Sequence, residues 1–367
     1  MIMHVVGNRP QFIKLAPLMR ELKRRNFSST IVHTGQHYDE NMSDIFFKEL
    51  GIDRPYKNLH IGSGSHAEIT GKSLIELEKV FIEDKPEVVI VYGDTNATLA
   101  AALAAAKIGI PIVHVEAGPR TYEKTNPEEI NRKIVDHLSD LLCCPDQQSV
   151  DNLKKEGIVN NVYFTGDIMY DTFLYTKKIG NQELYKQFGL QDGNYGFMTW
   201  HRQENTSNRE RMEKILDFIS ELNYKVLCPL HPRTRHALEK MKLWERAQSI
   251  PNFIIVEPVG YMDIVSLMSH CRFIVCDSGG VSKESYYAGV KCFFMLSFNP
   301  WVDLVQDGHI VTIDFENQDN IKAAIKDVNN MTEEKLMCDK EYYGNGNAAE
   351  KIVDLMLKAS LINRRDA

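Results

Sequence analysis

The chain has 367 residues, 43% of them hydrophobic and 25% charged, a composition that excludes the disordered and fibrous classes. Its length exceeds the usual size of one hydrophobic core, so two domains are expected. Lys and Arg number 43 against 50 Asp and Glu, a formal charge of −7, which argues against broad binding to nucleic acid or to an anionic membrane surface.

The amino terminus opens directly on a strand, Met3–Val6, without a charged region followed by an apolar signal segment. That strand leads into a helix over Gln11–Arg24, and Thr30–His33 leads toward a helix over Met42–Leu50. Helical spacing returns at Ile69–Phe81. Val88–Tyr92 is a continuous apolar run, read as a parallel strand buried on both faces. Thr95–Lys107, rich in Ala and Leu, is a helix ended by Gly109-Ile110-Pro111 before a second buried strand, Ile112–Val115. Glu128–Leu138 reads as a helix, Leu141–Cys144 as a strand, Ser149–Glu156 as a helix and Val162–Phe164 as a strand.

The alternation weakens between Tyr175 and Asn194, where Gly180, Gly189 and Gly193 cluster, and the hinge is placed there. A second series then runs through Phe197–Trp200, Val226–Leu230, Phe253–Val256, Phe273–Cys276 and Cys292–Met295. The tail from Ala348 to Leu361 has helical spacing suited to crossing back onto the first domain. The expected fold class is α/β, two doubly wound parallel sheets. The domains are placed at 1–175, with the helix within 348–367 returning to it, and 190–345. The longest small-apolar run, Leu99 to Val113, is too interrupted to span a bilayer. The seven cysteines form no C-x-x-C pair. They read as buried free thiols of a reducing compartment, so a cytoplasmic location is expected.

Two acidic residues stand just past strand ends, Asp94 after Val88–Tyr92 and Glu116 after Ile112–Val115. In parallel sheets ligands bind beyond the carboxyl ends of the strands, so both carboxylates are expected at one cleft, with Glu128 opening the next helix. Gathered carboxylates suggest proton transfer; capping alone is the plainer alternative. Gly7–Lys14 follows the first strand and opens a helix whose unpaired N–H groups suit an anion, with Arg9 and Lys14 adding charge. It is neither G-x-G-x-x-G nor a P-loop, so no dinucleotide or ATP site is expected. Cys276–Glu284 repeats the arrangement: Ser278, Gly279 and Gly280 would cradle a pyrophosphate, and Glu284 would accept from ribose hydroxyls. His201, after Phe197–Trp200, is a candidate general acid or phosphate partner. The histidines show no repeated metal-ligand spacing, so no metal site and no cofactor is expected.

Together these segments resemble the non-hydrolysing UDP-N-acetylglucosamine 2-epimerase family over nearly the full length. The resemblance rests on Gly7–Lys14, His33-Thr34-Gly35-Gln36-His37, Gly93-Asp94-Thr95, His114–Gly118, Pro127–Arg132, Thr165-Gly166-Asp167, His201-Arg202 and Asp277–Gly280. It implies two Rossmann-like domains in a glycosyltransferase-B-type arrangement with the nucleotide sugar in an interdomain cleft. It also implies inversion at C2 of the sugar by elimination and re-addition of UDP through a 2-acetamidoglucal. The matching catalytic positions are Asp94, Glu116, Glu128 and His201; Arg9, Lys14, Ser278, Gly279, Gly280 and Glu284 match nucleotide and phosphate contacts. Homodimers are implied, as is, in some members, a substrate-type effector site near Gln36, Arg202 and His231.

Pro10–Lys14, Asn41–Asp44, Val281–Glu284 and Trp301–Asp303 look like the branch acting on UDP-2,3-diacetamido-2,3-dideoxyglucuronate. The chain also departs from the family pattern. Leu296–Trp301 stands where members carry an Arg and a Thr-Glu pair, Ser282 replaces a usual Gln, and Pro119 a usual Leu. The expected activity is 2-epimerisation of a UDP-HexNAc for surface polysaccharide, with the diacetamido-glucuronate substrate as the alternative. A UDP-sugar glycosyltransferase and a non-catalytic UDP-sugar-binding protein are the rivals from other classes.

Overall fold

A computed structural model describes residues 1–35, 47, 49–332 and 341–363. The chain divides into two compact units, Met1–Thr172 with Lys340–Ala367, and Phe173–Asp339.

The first unit runs β1(Ile2–Val6), α1(Arg9–Arg24), β2(Ser29–His33), β3(Lys57–Asn58), α2(His66–Asp84), β4(Val88–Tyr92), α3(Asn96–Lys107), β5(Ile112–Val115), α4(Pro127–Leu138), β6(Leu141–Cys144), α5(Gln147–Lys155) and β7(Val162–Phe164), then enters α6(Ile168–Ile179). Its described strands form one parallel sheet in the order β3-β2-β1-β4-β5-β6-β7. Every residue of β1, β4, β5 and β6 is buried, because helices cover both faces and leave no solvent side on which polar residues would alternate. On one face pack Phe12, Leu15, Leu18 and Leu22 of α1; on the other, Leu77 and Phe81 of α2 with the alanines of α3.

The second unit contains β8(Tyr195–Thr199), α7(Gln203–Thr206), α8(Arg209–Ser220), β9(Lys225–Pro229), α9(Pro232–Lys240), α10(Trp244–Ser249), β10(Phe253–Val256), α11(Tyr261–His270), β11(Phe273–Cys276), α12(Gly279–Ala288), β12(Lys291–Phe294), α13(Val302–Gln306), β13(Ile310–Thr312) and α14(Gln318–Asn329). Its parallel sheet has the order β10-β9-β8-β11-β12-β13. Trp200, Phe218, Phe273, Phe293 and Phe315 fill the core.

The last helix, α15(Ala348–Lys358), lays Ile352, Val353 and Met356 into the same apolar cluster as α1. Asn347 supplies no side-chain cap. Asp171 of α6 does so instead, accepting from the backbone N–H of Ala348 and Ala349 at 3.0 and 2.9 Å, which satisfies two of the orphan donors of a helix start.

Two strands escape the sequence pattern. β3 and β13 are edge strands of two and three residues, too short to show a period. The helix expected over Met42–Leu50 lies almost wholly outside the described residues. The six described cysteines are buried and free, and among the described residues no helix is long and apolar enough to cross a membrane.

Candidate active site

Strand ends and helix starts converge at the carboxyl edge of each sheet, and side-chain caps define the turns. In the first unit Asn8 caps α1 by accepting from the Gln11 N–H, Thr95 caps α3 and Asn126 caps α4. Gln11, almost fully buried, ties two of these turns together. Its Oε1 accepts from Gly7 N–H at 2.6 Å, while its Nε2 donates to the Tyr92 carbonyl at 2.7 Å and reaches Thr95 and Thr98 hydroxyls.

On this frame the turn after β4 presents Asp94 and the turn after β5 presents Glu116. Arg132 of α4 donates to the Asp94 carboxylate at 2.5 Å, and the Asn131 side chain donates to the Asp94 carbonyl at 2.8 Å. Glu116 adopts φ = 70°, a left-handed conformation that costs a non-glycine residue of order 1–3 kcal/mol and is tolerated where neighbours hold it. Here the N–H groups of Glu116 and Ala117 both donate to the Cys143 carbonyl, at 3.0 and 3.1 Å. The Glu116 carboxylate accepts from Lys14 Nζ of α1, and both side chains keep about a fifth to a quarter of their surface exposed. Gly93 lies against this pair: a Cβ built there would come 3.3 Å from Lys14 Nζ and 3.5 Å from Glu116 Oε2.

Glu128 and Glu129 divide the roles the α4 start offers. Glu128 is exposed, with its N–H capped by Asn126 at 2.9 Å. Glu129 is buried, accepting from Thr121 and Tyr122 N–H and from Arg132. Burial pushes the Glu129 pKa up, but those donors overcome it and leave it below the usual carboxylate value.

In the second unit the organising group is Asp277, fully buried at the end of β11. Its carboxylate accepts from the backbone N–H of His201 at 3.0 and 3.1 Å, of Arg202 at 2.8 Å, and from Asn205 Nδ2 at 3.3 Å. His201 Nδ1 lies 3.3 Å from the same carboxylate. His201 therefore stands on a turn stapled to the neighbouring strand. The His231 ring is 5.7 Å away, centroid to centroid, with Nδ1 accepting from Arg233 N–H at 3.1 Å to cap α9. Partial burial first, then the neighbouring His201 and Arg233, lowers the His231 pKa and keeps it in the accepting form.

Ser278 caps α12 by accepting from Val281 N–H, and the space above Gly279 and Gly280 is open, with no atom closer than 3.8 Å to a built Cβ. The 296–301 loop packs on this turn. Trp301 Nε1 donates to the Gly279 carbonyl at 2.6 Å, Asn299 donates to Ser282 Oγ at 3.1 Å, and Lys283 Nζ sits 4.6 Å over the Trp301 ring. Glu284, buried, accepts from the Tyr261 hydroxyl at 2.9 Å. Among the described residues no cluster of three or more His, Cys, Asp or Glu side chains is set to hold a metal.

The family model described as UDP-N-acetylglucosamine 2-epimerase matches residues 20–357. The chain belongs to that family. It is 42% identical to a UDP-N-acetylglucosamine 2-epimerase homolog of Methanococcus maripaludis, over 97% of this chain and 99% of the relative. It is 38% identical to the UDP-2,3-diacetamido-2,3-dideoxy-D-glucuronate 2-epimerase of Pseudomonas aeruginosa, over 97% and 99%. The crystal structure of the Methanocaldococcus jannaschii UDP-GlcNAc 2-epimerase in complex with UDP-GlcNAc and UDP superposes with a TM-score of 0.78 at 37% identity, covering 97% of this chain and 99% of that one.

Of the residues that the epimerase motifs single out, Lys14 meets Glu116 and His201 meets His231, whereas Asp94 is engaged by Arg132, a residue sequence reasoning passed over. Arg9 is exposed in the first turn of α1, and Arg202 carries a side chain 41% exposed. Gln36 lies outside the described residues. Gln11, Arg132 and Asp277 lie within the motif segments Gly7–Lys14, Pro127–Arg132 and Asp277–Gly280 without being among the expected site residues. Gln11 alone carries a signal in the pattern: it is a polar residue on the helix face of Phe12, Leu15 and Leu18, which demands a buried partner.

Proposed function

We propose that the protein is a cofactor-independent UDP-sugar 2-epimerase that interconverts UDP-GlcNAc and UDP-ManNAc. The observation that carries the reading is the pair of carboxylates on adjacent strand ends, each held by a cation: Asp94 by Arg132 and Glu116 by Lys14. The C2 proton of an N-acetyl sugar is weakly acidic, so removing it calls for a positioned base. In the forward step a carboxylate takes that proton, the C2–H electron pair becomes the C1–C2 double bond, and the C1–O pair leaves with UDP. In the return step UDP oxygen re-forms the bond to C1 and a proton reaches C2 from the opposite face. Asp94, Glu116 and Glu128 supply the acid–base groups. His201, Arg9, Lys14 and the Ser278-Gly279-Gly280 turn take up the charge that builds on the departing pyrophosphate, and Glu284 takes the nucleotide's ribose.

The test is incubation with UDP-GlcNAc in D2O. The expected result is deuterium at C2 and conversion to the manno epimer. Absence of exchange with every UDP-HexNAc in a panel, despite tight UDP binding, overturns the reading and leaves a UDP-sugar-binding protein. The nearly full-length likeness to the Pseudomonas aeruginosa enzyme favours a second substrate, UDP-2,3-diacetamido-2,3-dideoxyglucuronate, and its preferential exchange in the same panel would select it. The buried free thiols support a reducing, cytoplasmic setting, with the product feeding surface polysaccharide. We place the enzyme there as a homodimer, with Gln36, Arg202 and His231 at an effector site; a monomer by sedimentation or strictly hyperbolic kinetics counts against each in turn.

A further inference from the structure

His114, in the middle of β5, is fully buried and yet bonded at both ring nitrogens. Nε2 lies 2.8 Å from the Gly93 carbonyl oxygen, which can only accept. Nδ1 lies 2.7 Å from Asp136 Oδ1 on α4. An acceptor at each nitrogen calls for a proton at each, so the ring is an imidazolium facing a carboxylate. The second Asp136 oxygen accepts from Arg120 at 2.8 Å and from the Gly118 N–H at 3.3 Å. Burial pushes the Asp136 pKa up, but His114 and Arg120 outweigh it and hold the carboxyl below its usual value. Arg120 in turn meets Glu156 at 2.9 and 2.7 Å. Two cations and two anions cancel, and the side chains of His114, Asp136 and Arg120 are wholly buried.

This chain of charges grips backbone at two places that matter. Gly93 immediately precedes Asp94, and its carbonyl is held by the ring. Gly118 stands two residues after Glu116, and its amide is held by Asp136. Gly118 has φ = +90°, and a Cβ built there would come 2.5 Å from the Ser149 carbonyl oxygen, so this turn is tightly seated. We infer that the buried His114–Asp136 ion pair is the positioning device of the proton-transfer site, referencing the Asp94 turn and the strained Glu116 turn to one rigid point. An apolar pair of similar volume would fill the space as well and often costs no stability, but it would leave Gly93 O and Gly118 N–H without partners and the two turns uncoupled. The inference rests on the epimerase reading for its catalytic consequence, not for its geometry.

The test uses the full-length protein and has two arms. In the first, long-range ¹H–¹⁵N spectra of ¹⁵N-histidine-labelled protein, with the His114 signal identified by its loss in His114→Gln, are expected to show both ring nitrogens protonated in the folded protein. A neutral ring overturns the inference. In the second, His114→Gln and Asp136→Asn are assayed with kcat normalised to UDP-binding sites counted by titration. Displacement of catalytic groups by about 1 Å costs about 10²-fold, so kcat per site and C2 exchange are expected to fall by about that factor while the UDP Kd changes less than about twofold. A merely structural role would lower the number of sites and leave kcat per site intact, which overturns the inference; if His114→Gln does not fold, Asp136→Asn decides this arm. Should the wild-type protein exchange no UDP-sugar at C2, the epimerase reading falls by itself. The inference is then decided by the crystal structure of the folded variant, where Asp94 and Glu116 turns left in place would sink it.

Discussion

The residues that matter most are polar groups whose partners come from elsewhere in the chain. Glu116 is held by Lys14, 102 positions away, and Asp94 by Arg132, 38 away. Isosteric neutralisation separates chemistry from binding: Glu116→Gln and Asp94→Asn are each expected to lower C2 exchange by about 10²–10⁴-fold with UDP affinity retained. Full activity in either variant removes that residue from the mechanism. Asp277 acts differently, because its buried carboxylate accepts from two backbone amides and a side-chain amide. Asp277→Asn turns one acceptor oxygen into a donor facing N–H groups, an unsatisfied arrangement worth about 1–3 kcal/mol. The expected outcome is a lower urea midpoint together with loss of kcat through a displaced His201. An unchanged midpoint would show that the turn is held by other bonds.

At the scale of elements, helix starts do the positioning. The described parallel strands end in turns, several closed by side-chain caps such as Asn8, Thr95, Asn126 and Ser278, so N–H groups and side chains point to the edge where ligands bind in such sheets. α15 borrows its cap from a residue outside its own N-terminus, Asp171. Asp171→Ala frees both N–H groups, and loss of a cap costs about 1 kcal/mol. Limited proteolysis is expected to release α15 before the rest of the first unit opens. Equal protection in variant and wild type would show that the apolar face alone docks the helix.

Across the whole molecule, buried titratable groups set the response to pH. Burial lowers the His4 pKa to about 3 and the His33 pKa to about 4, so both stay neutral in the fold while the unfolded chain takes up protons near 6.5. Their contribution is present above that value and is lost as pH falls toward 4 and 3. Asp171 works in the opposite sense. Burial raises its pKa to about 6, so its contribution is present below the ordinary carboxylate value and is lost as pH rises through 6. Two protons against one leave a net slope of about 1.4 kcal/mol per pH unit between roughly pH 4 and 6, stability falling toward acid, and His309, also lowered by burial, adds to it. Urea titrations across that range should show the slope, and His4→Gln should flatten it; a slope unchanged in the variant would show that His4 is protonated in the fold.

The chain's own pattern determined the strands wherever burial is complete. Val88–Tyr92, Ile112–Val115 and Leu141–Cys144 have the bounds that their apolar runs imply, because a strand covered on both faces is almost wholly apolar and so announces its ends, His114 of β5 being accommodated by bonds to both ring nitrogens. The turn residues after the first two were legible for the same reason: Asp94 and Glu116 stand where the apolar run stops. Periodicity was blind to β3 and β13, edge strands too short to repeat, and it placed the first strand of the second series one to two residues late, since Trp200 extends the apolar run although it already lies in the turn. Which polar group meets which was a tertiary decision. Lys14 reads in sequence only as a cation for a phosphate, while in the fold it also pairs with Glu116, and His114 reads as one histidine among twelve until α4 brings Asp136 beside it. Hydrophobic spacing is local and repeats along the chain, whereas a buried hydrogen bond depends on two distant segments arriving with complementary atoms.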